Sequence, residues 1–420
     1  MFNTILNFLN RIKRKLFPFY KNRELKFVFN KLQEGFSIDI VTARFVGGCV
    51  RKHLTNDKVD DIDIATTLKA EEIKKRFKDT NFKVVETGIQ HGTVTLVSKN
   101  LKLELTTLRK DVETDGRHAE VKYIDDWQLD SERRDFTINA VYLDINGNIF
   151  DPQMGVTDLK NNNIKFIGNP ETRIQEDYLR IIRLLRFSIQ YNSSNDRTTI
   201  DAIKLNLTGL KKISKERVFS ELLKILNVKT FDNILKHPNK KEIFLKIFPE
   251  LKNLNRLEKL KKIKNNIKMK NYDLISFLIT DNTEDYEYFA FKYNIPNDLK
   301  EELFILHRCF KLSKNDKFFF KKNLKKNIYF YGKQKLIAIN TLIFCEKPNI
   351  KINEYFYINK KIKSAEIPRF EFNGRYLRNR GLHQGPKIGK ILKKIEDEWL
   401  INDFKISSNR VNEIINANNN

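Results

Sequence analysis

The feature that most constrains this chain is a change of hydrophobic period near Glu171. Between about residues 40 and 150, short apolar segments alternate with polar ones: ARFVGG, DIDIAT, FKVVETG, GTVTLVS, LKLELTTL and INAVYLDI. Several show the period of two that puts one face of a strand in a core. LKAEEIKKRFKD, between two of them, has helical spacing. From Glu171 onward strand patterns all but vanish, and ETRIQEDYLRIIRLLRFSIQ opens a remainder of helical repeats that includes ISKERVFSELLKILN, YDLISFLITD and IGKILKKIEDEWLIN. The expected fold is therefore α+β, with a mixed α/β layer domain followed by an all-α remainder. At 420 residues the chain exceeds one ordinary core, so two or more domains are expected. A break near residues 346–372 (KPNIK, then IPRFEFNG) places a small unit at the C-terminal end.

No apolar run approaches the roughly 20 residues that cross a bilayer, which excludes a membrane-spanning role. Three cysteines, Cys49, Cys309 and Cys345, have no paired spacing, which argues against a disulfide scaffold or zinc knuckle. The formal charge of +26 implies a polyanionic partner. About +5 of it lies in residues 1–190 and about +21 in residues 191–420, an asymmetry that lysine enrichment by genomic drift does not predict. The first 23 residues contain no acid, and Phe2, Ile5, Leu6, Leu9, Ile12 and Leu16 fall at helical spacing. This basic amphipathic helix fits an import presequence or a membrane-surface helix, and is read here as a packed N-terminal helix.

Three clusters carry chemistry. In the first, a strand runs into Gly47-Gly48, followed by Arg51 and then Asp61-Ile62-Asp63. Gly48 admits a phosphate close to the backbone and Arg51 adds donors to it. Asp61 and Asp63, two apart on an expected strand, point to one face and offer hard oxygen ligands to Mg²⁺. A pair of such ions would activate an attacking hydroxyl and stabilise leaving pyrophosphate. Glu104, on a later strand, is either a third carboxylate or a surface residue. In the second cluster, Arg133, Arg134 and Asp135, the arginines bind triphosphate with Asp135 orienting one of them, or they form a structural salt bridge. The third, Glu176-Asp177-Tyr178-Leu179-Arg180 with Arg183 and Arg186, places Asp177 and three arginines three residues apart on one expected helix. A carboxylate accepts from an exocyclic amino group while an arginine donates to a ring nitrogen or carbonyl, so Asp177 and Arg180 can select cytosine and adenine over uracil and guanine. Taken alone, the same spacing is also that of an ordinary ion pair on an amphipathic helix.

In this order, GGCVR, DIDIATT, HGTVTLV, ELTTLRKDVETDGRHAEV, ERRDFTINA, DPQMGVTDL and EDYLRIIRLLRF resemble the class II tRNA nucleotidyltransferase/poly(A) polymerase family, within the polymerase-β-like nucleotidyltransferases. ISKERVFSELLKIL is similar to the family's neck, and PRFEFNG…GLHQGPKIGKILKKIEDEWL to the C-terminal segment of bacterial CCA-adding enzymes. With the N-terminal helix taken over 1–27, the resemblance implies a catalytic nucleotidyltransferase head over 28–160, a neck over 161–225, a tRNA-binding body over 226–345 and a tail over 346–420. It implies Asp61 and Asp63 as metal-binding carboxylates, Gly48, Arg51 and Arg134 as nucleotide contacts, Asp177 and Arg180 as readers of the base, and Arg183 and Arg186 as further contacts. It also implies Mg²⁺ in a two-metal site, CTP and ATP as substrates, and tRNA (acceptor and T arms) as partner; the expected location is cytoplasmic, in a bacterium, with organellar import as the alternative. No membrane or protein partner is implied, and monomer and homodimer both stay open. One residue departs from the family pattern: Lys52 stands where G-G-x-V-R is usually followed by Asp. No His-Asp pair of the HD phosphohydrolase type is present, and His91 and His118 are read as loop hydrogen-bonders. Gly88-Ile89-Gln90-His91-Gly92-Thr93-Val94 resembles the tRNA enzymes rather than poly(A) polymerases, and residues 109–118 resemble the flexible loop of enzymes that complete the final A. The alternatives are a poly(A) polymerase, an enzyme adding only the A, and an RNA-binding protein without catalysis.

Overall fold

The structure, a computed structural model, describes residues 22–88, 92–114, 119–263, 271–382 and 385–417. Most of the expected N-terminal helix, together with His91 and His118, lies outside them. The described residues fall into two compact units: one runs to Pro249 and also holds Lys292–Asn294, and the other takes the rest.

The first unit begins with helix α1 (Arg23–Gln33), whose start is fixed by the Asn22 side chain accepting from the Leu25 N–H at 3.1 Å. Strand β1 (Ala43–Val46) leads into the short helix α2 (Gly48–Leu54), then β2 (Ile62–Thr66), helix α3 (Ala70–Phe77), β3 (Lys83–Gly88), β4 (Thr93–Val97) and β5 (Lys102–Thr107). Two short strands, β8 (Tyr142–Leu143) and β9 (Ile149–Phe150), complete a seven-stranded sheet of order β3-β4-β5-β2-β1-β8-β9. Within it only the β2–β5 pair is parallel. A separate hairpin joins β6 (Arg109–Thr114) to β7 (Ala119–Tyr123), so the described part of the segment that resembles a flexible loop is strand.

Strand alternation divides the sheet into two chemistries. Phe45, Ile64, Val94, Leu96, Leu103, Leu105 and Leu143 turn one way and pack with Leu25, Val28 and Leu32 of α1, Val50 of α2, and Ile73 and Phe77 of α3. On the other side a smaller group of Val46, Ala65, Leu108 and Tyr142 leaves room for polar groups.

Two expectations for local structure are corrected here. INAVYLDI is not one strand: Thr137–Asn139 forms a 3-10 turn before β8. The Thr137 hydroxyl bonds Asp158 of helix α5 (Gly155–Lys160) at 2.8 Å and the Asn139 amide bonds Asp135 at 2.8 Å, so these side chains are tied into turns rather than aligned on a strand. Residues 171–190 are not one helix either. Helix α6 (Pro170–Glu176) stops at Asp177, whose backbone is extended (φ −153°, ψ 103°), and α7 (Leu179–Gln190) starts afresh. The Asp177 carboxylate accepts from the Leu179 N–H at 3.1 Å, satisfying one of the free donors of the new helix.

Further along this unit, α8 (Arg197–Asn206), α9 (Lys215–Leu226) and α10 (Pro238–Ile247) follow, and Phe231, between the last two, packs tilted against Phe244 of α10 with ring centres 5.6 Å apart. Among its described residues the second unit has helices as its regular structure and no strand. The expected break near 346–372 contains a 13-residue helix, Ile352–Ser364. It is held by Asn340 to the preceding helical segment, Leu324–Glu346, which breaks at Gly332 (φ +77°): the Asn340 amide donates to the Tyr355 carbonyl at 3.0 Å and the Asn359 side chain at 2.9 Å. Only 365–373, extended beyond it, reads as a linker. Leu377, Ile391, Ile395, Val411 and Ile414 form a small core near the C-terminal end.

Leu105 is fully buried beside the β2–β5 pairing. Leu105→Ala should cost about 3 kcal/mol, read as a lower urea midpoint for the unfolding of this unit.

Candidate functional site

The parallel pairing of β2 with β5 sets Asp63 directly beside Glu104, as it sets Ile64 beside Leu105. Because Ile64 and Leu105 face the helices, Asp63 and Glu104 share the opposite face. Val46 of β1 is the antiparallel partner of Asp63 on its other side. The chain then turns at Gly47, with φ +71°, a conformation that favours glycine, and a Cβ there would stand 3.5 Å from the Asp63 carboxylate. A Cβ at Gly48 would meet nothing within 4 Å, so that side is open. The expectation of two carboxylates on one strand needs correction: β2 starts at Ile62, and Asp61 stands exposed on the loop before it. Glu104 is the residue that shares the strand face with Asp63.

Burial pushes the Asp63 carboxyl up to about 6. The Glu104 and Asp61 charges push the same way, opposed by Arg134 and Arg51. Negative charge is therefore left uncompensated at Asp63, which is the condition a divalent cation relieves. Among the described residues no three acid, imidazole or thiol groups close around one point. The donor set nonetheless fits Mg²⁺, which is commonly held by one or two carboxylates and completes its shell with substrate phosphates and water.

The arginines are held by a second tier of residues. Asp130, fully buried on helix α4 (Trp127–Glu132), accepts from Arg133 Nε at 2.8 Å and Arg134 Nη2 at 2.9 Å. Tyr142 donates to the same carboxylate at 2.8 Å and accepts from Arg134 Nε at 3.0 Å. Burial raises the Asp130 carboxyl, but Arg134 and Arg133 outweigh it and hold it well below the usual carboxylate range. The carboxylate that orients Arg134 is thus Asp130 and not Asp135. Asp135 instead holds Arg183, through Nε at 2.7 Å, and its own pKa falls to about 2 because Arg183 and Asn139 overcome the effect of burial.

Arg51, Arg183 and Arg186 surround one ring, with guanidinium carbons 4.5, 5.9 and 4.0 Å from the centre of Phe187. Arg51 also donates to Asn139 and, at 3.0 Å, to Tyr191. Arg186 donates to Glu221 at 2.9 Å, an acid almost wholly buried on α9. Asp177 accepts from Arg217 of the same helix at 2.7 Å, while Arg180 donates to Glu176 and, at 2.8 Å, to the Arg173 carbonyl. Asp177 and Arg180 therefore do not pair with each other's side chains. They stand where α6 breaks into α7, each steadied by a different neighbour.

Sequence reasoning missed Asp130, Asn139, Tyr191, Arg217 and Glu221. Glu221 carried a legible signal, as a lone acid on the α9 stripe of Val218, Leu222 and Ile225 that is otherwise core. Asn139 and Tyr191 carried none, since their roles depend on contacts with Arg51, 88 and 140 residues away.

Asp63 titrates near 6, above the ordinary value near 3.9. In cation-free protein this group's contribution to stability should be fully present below the ordinary value and lost as pH rises through about 6. Cation affinity should move the opposite way, rising over the same interval as the carboxylate forms. Glu104→Gln removes a like charge and should shift the Asp63 titration downward, read from its side-chain ¹³C resonance.

Residues 43–165 match the Poly A polymerase head domain, and residues 196–254 match the "probable RNA and SrmB- binding site of polymerase A". The mitochondrial CCA tRNA nucleotidyltransferase 1 of Mus musculus is 31 % identical over 425 residues, spanning 95 % of this chain and 93 % of that protein. The CCA-adding enzyme of Lactococcus lactis subsp. cremoris is 30 % identical, spanning 86 % and 89 %. The fold is that of the Bacillus stearothermophilus CCA-adding enzyme solved in complex with CTP, with a TM-score of 0.70 and 22 % identity over 96 % of this chain and 98 % of that one. A sheet that carries its acids on one face, arginines fixed on the helices beside it, and likeness along nearly the whole length lead to one conclusion: this enzyme belongs to the CCA-adding tRNA nucleotidyltransferase family.

Proposed function

We propose that this enzyme builds and repairs the 3′-terminal CCA of tRNA from CTP and ATP, without a nucleic-acid template. The observation that carries the reading is the placement of Asp63 beside Glu104 and near Asp61 in the same unit as the Asp177–Arg180 segment. Asp61 and Asp63 hold Mg²⁺, with Glu104 as a third carboxylate on the same face. When bound, Mg²⁺ in a two-ion arrangement supplies charge neutralisation at the triphosphate and lowers the pKa of a coordinated hydroxyl. Arg51 and Arg134 draw the triphosphate through charge-assisted hydrogen bonds, and Gly48 leaves it space. Asp177 accepts from the amino group of cytosine or adenine, and Arg180 donates to the adjacent ring position. Arg183 and Arg186 add positive charge along the same helix.

In the same reading residues 28–160 are the head, 161–225 the neck, 226–345 the body and 346–420 the tail. The Lys- and Arg-rich remainder grips the acceptor and T arms by their phosphates. A reducing, cytoplasmic setting accords with three buried free cysteines. Among the described residues no helix is long and apolar enough to cross a membrane. The matched relatives include both mitochondrial and bacterial proteins.

A tRNA transcript ending at the discriminator base decides among the activities. With Mg²⁺, two additions from CTP alone and three from CTP plus ATP are expected, resolved at single nucleotides. A long ladder from ATP alone would show a poly(A) polymerase instead. A single addition confined to a CC-ended substrate would show an A-adding enzyme. Asp61→Ala and Asp63→Ala should each reduce transfer at least a thousandfold with tRNA binding retained. Arg180→Ala should lower discrimination against UTP and GTP by about tenfold or more, measured as the ratio of kcat/KM values.

A further inference from the structure

Lys52 stands where the family's motif usually has Asp, and the structure gives it a partner. It lies in the last turn of α2, the helix whose first turn carries Gly48 and whose side chain Arg51 reaches Asn139 and Tyr191. The chain folds back beneath that helix: the Asp57 N–H donates to the Lys52 carbonyl at 2.8 Å, and the Thr55 hydroxyl donates to the Asp57 carboxylate at 2.9 Å. Across the closed turn the Lys52 ammonium meets Asp60 Oδ1. That same oxygen accepts from the backbone N–H of Asp61 at 3.0 Å. One carboxylate oxygen thus joins the end of the phosphate-side helix to the backbone of Asp61.

We infer that Lys52 is a positioning residue: its ion pair with Asp60 fixes the backbone of Asp61 and thereby pre-organises the carboxylates that receive the cation. The inference rests on the reading of Asp61 and Asp63 as the cation site. An aspartate at position 52 would face Asp60 with like charge and release the loop. Here the pair of opposite charges does the holding, while the acids that bind the cation stay free of it. Both partners are partly exposed, with side-chain exposures of 28 % and 60 %, so the effect is a bias on loop geometry rather than a condition for folding.

The test uses Mn²⁺ alone as the probe, titrated into the full-length protein and followed by the EPR signal of the free ion. Asp63→Asn examines the cation site itself and should abolish tight binding. Lys52→Asp should weaken Mn²⁺ about threefold. The direction is diagnostic, because an added negative charge acting only through space would tighten a cation. Asp60→Lys should weaken binding as well, and the double variant Lys52→Asp/Asp60→Lys should return it to within twofold of wild type. Tight binding that survives Asp63→Asn overturns the cation reading and this inference with it. Loss in Asp63→Asn together with unchanged or tighter binding in Lys52→Asp overturns the positioning role alone, as does a double variant no better than either single one. Circular dichroism melts of Lys52→Asp, Asp60→Lys and the double variant should match wild type, and Asp63→Asn should melt no lower, which separates loop positioning from loss of fold.

Discussion

The parallel register between β2 and β5 is the constraint on which the site depends. It places two acids, Asp63 and Glu104, side by side on adjacent strands, an arrangement that repels. The register cannot slip to relieve them. A shift of one residue in either strand would turn that strand's Ile64 or Leu105 out of the core and its carboxylate into it. The apolar face of the sheet therefore enforces the repulsion on the polar face. Burial, with that repulsion added to it, leaves Asp63 with a raised pKa that Arg134 and Arg51 reduce without cancelling, and a divalent cation neutralises the negative charge that remains. Hydrophobic burial on one side of five strands is converted into an electrostatic preference on the other.

The positive side of the site meets the opposite difficulty. Arg51, Arg183 and Arg186 gather about Phe187, and three guanidiniums, one buried and two partly so, cannot crowd one ring without compensation. Asp135 and Glu221 supply charge, while Asn139 and Tyr191 accept from Arg51 without adding any. The acids do more than balance the sum. Each fixes one edge of a guanidinium, so the direction of the remaining donors is set before a ligand arrives. Asp130 does the same for Arg133 and Arg134, and Tyr142 ties that pair to β8.

Sequence and structure agree where local pattern decides and part where distant contacts do. The strands of 43–107 and the helix over 70–77 follow from periods of two and 3.6, so they were legible. Gly47-Gly48, Asp63 and the arginines of α7 were legible because the chemistry resides in residue type at fixed spacing. Which acid holds which arginine was not. Asp135 was read as orienting one of the two arginines beside it, but Asp130, one helical turn earlier, reaches both while Asp135 turns toward Arg183. The break at Asp177 was hidden for another reason: a spacing of three from Asp177 to Arg186 reads as uninterrupted helix unless the first carboxylate is known to cap the next one. The helix at Ile352–Ser364 was obscured by the prolines and loop residues flanking it, which made its whole neighbourhood resemble a boundary.

That break bears on how a protein surface can choose a base. On a continuous helix Asp177 and Arg180 would lie about one turn apart, on side chains whose directions are tied to the helix axis. An extended residue at Asp177 frees the carboxylate from that axis. One of its oxygens caps the Leu179 amide and the other takes Arg217, so the carboxylate is fixed from two sides by different elements. Arg180, in the first turn of α7, is fixed independently by Glu176 and the Arg173 carbonyl. An acceptor and a donor held separately can be set at the spacing of a base edge, which helical pitch alone does not offer. Under the proposed reading a stop in the helix thus provides what a template strand provides elsewhere: an acceptor and a donor at fixed positions, against which cytosine and adenine fit and uracil and guanine do not.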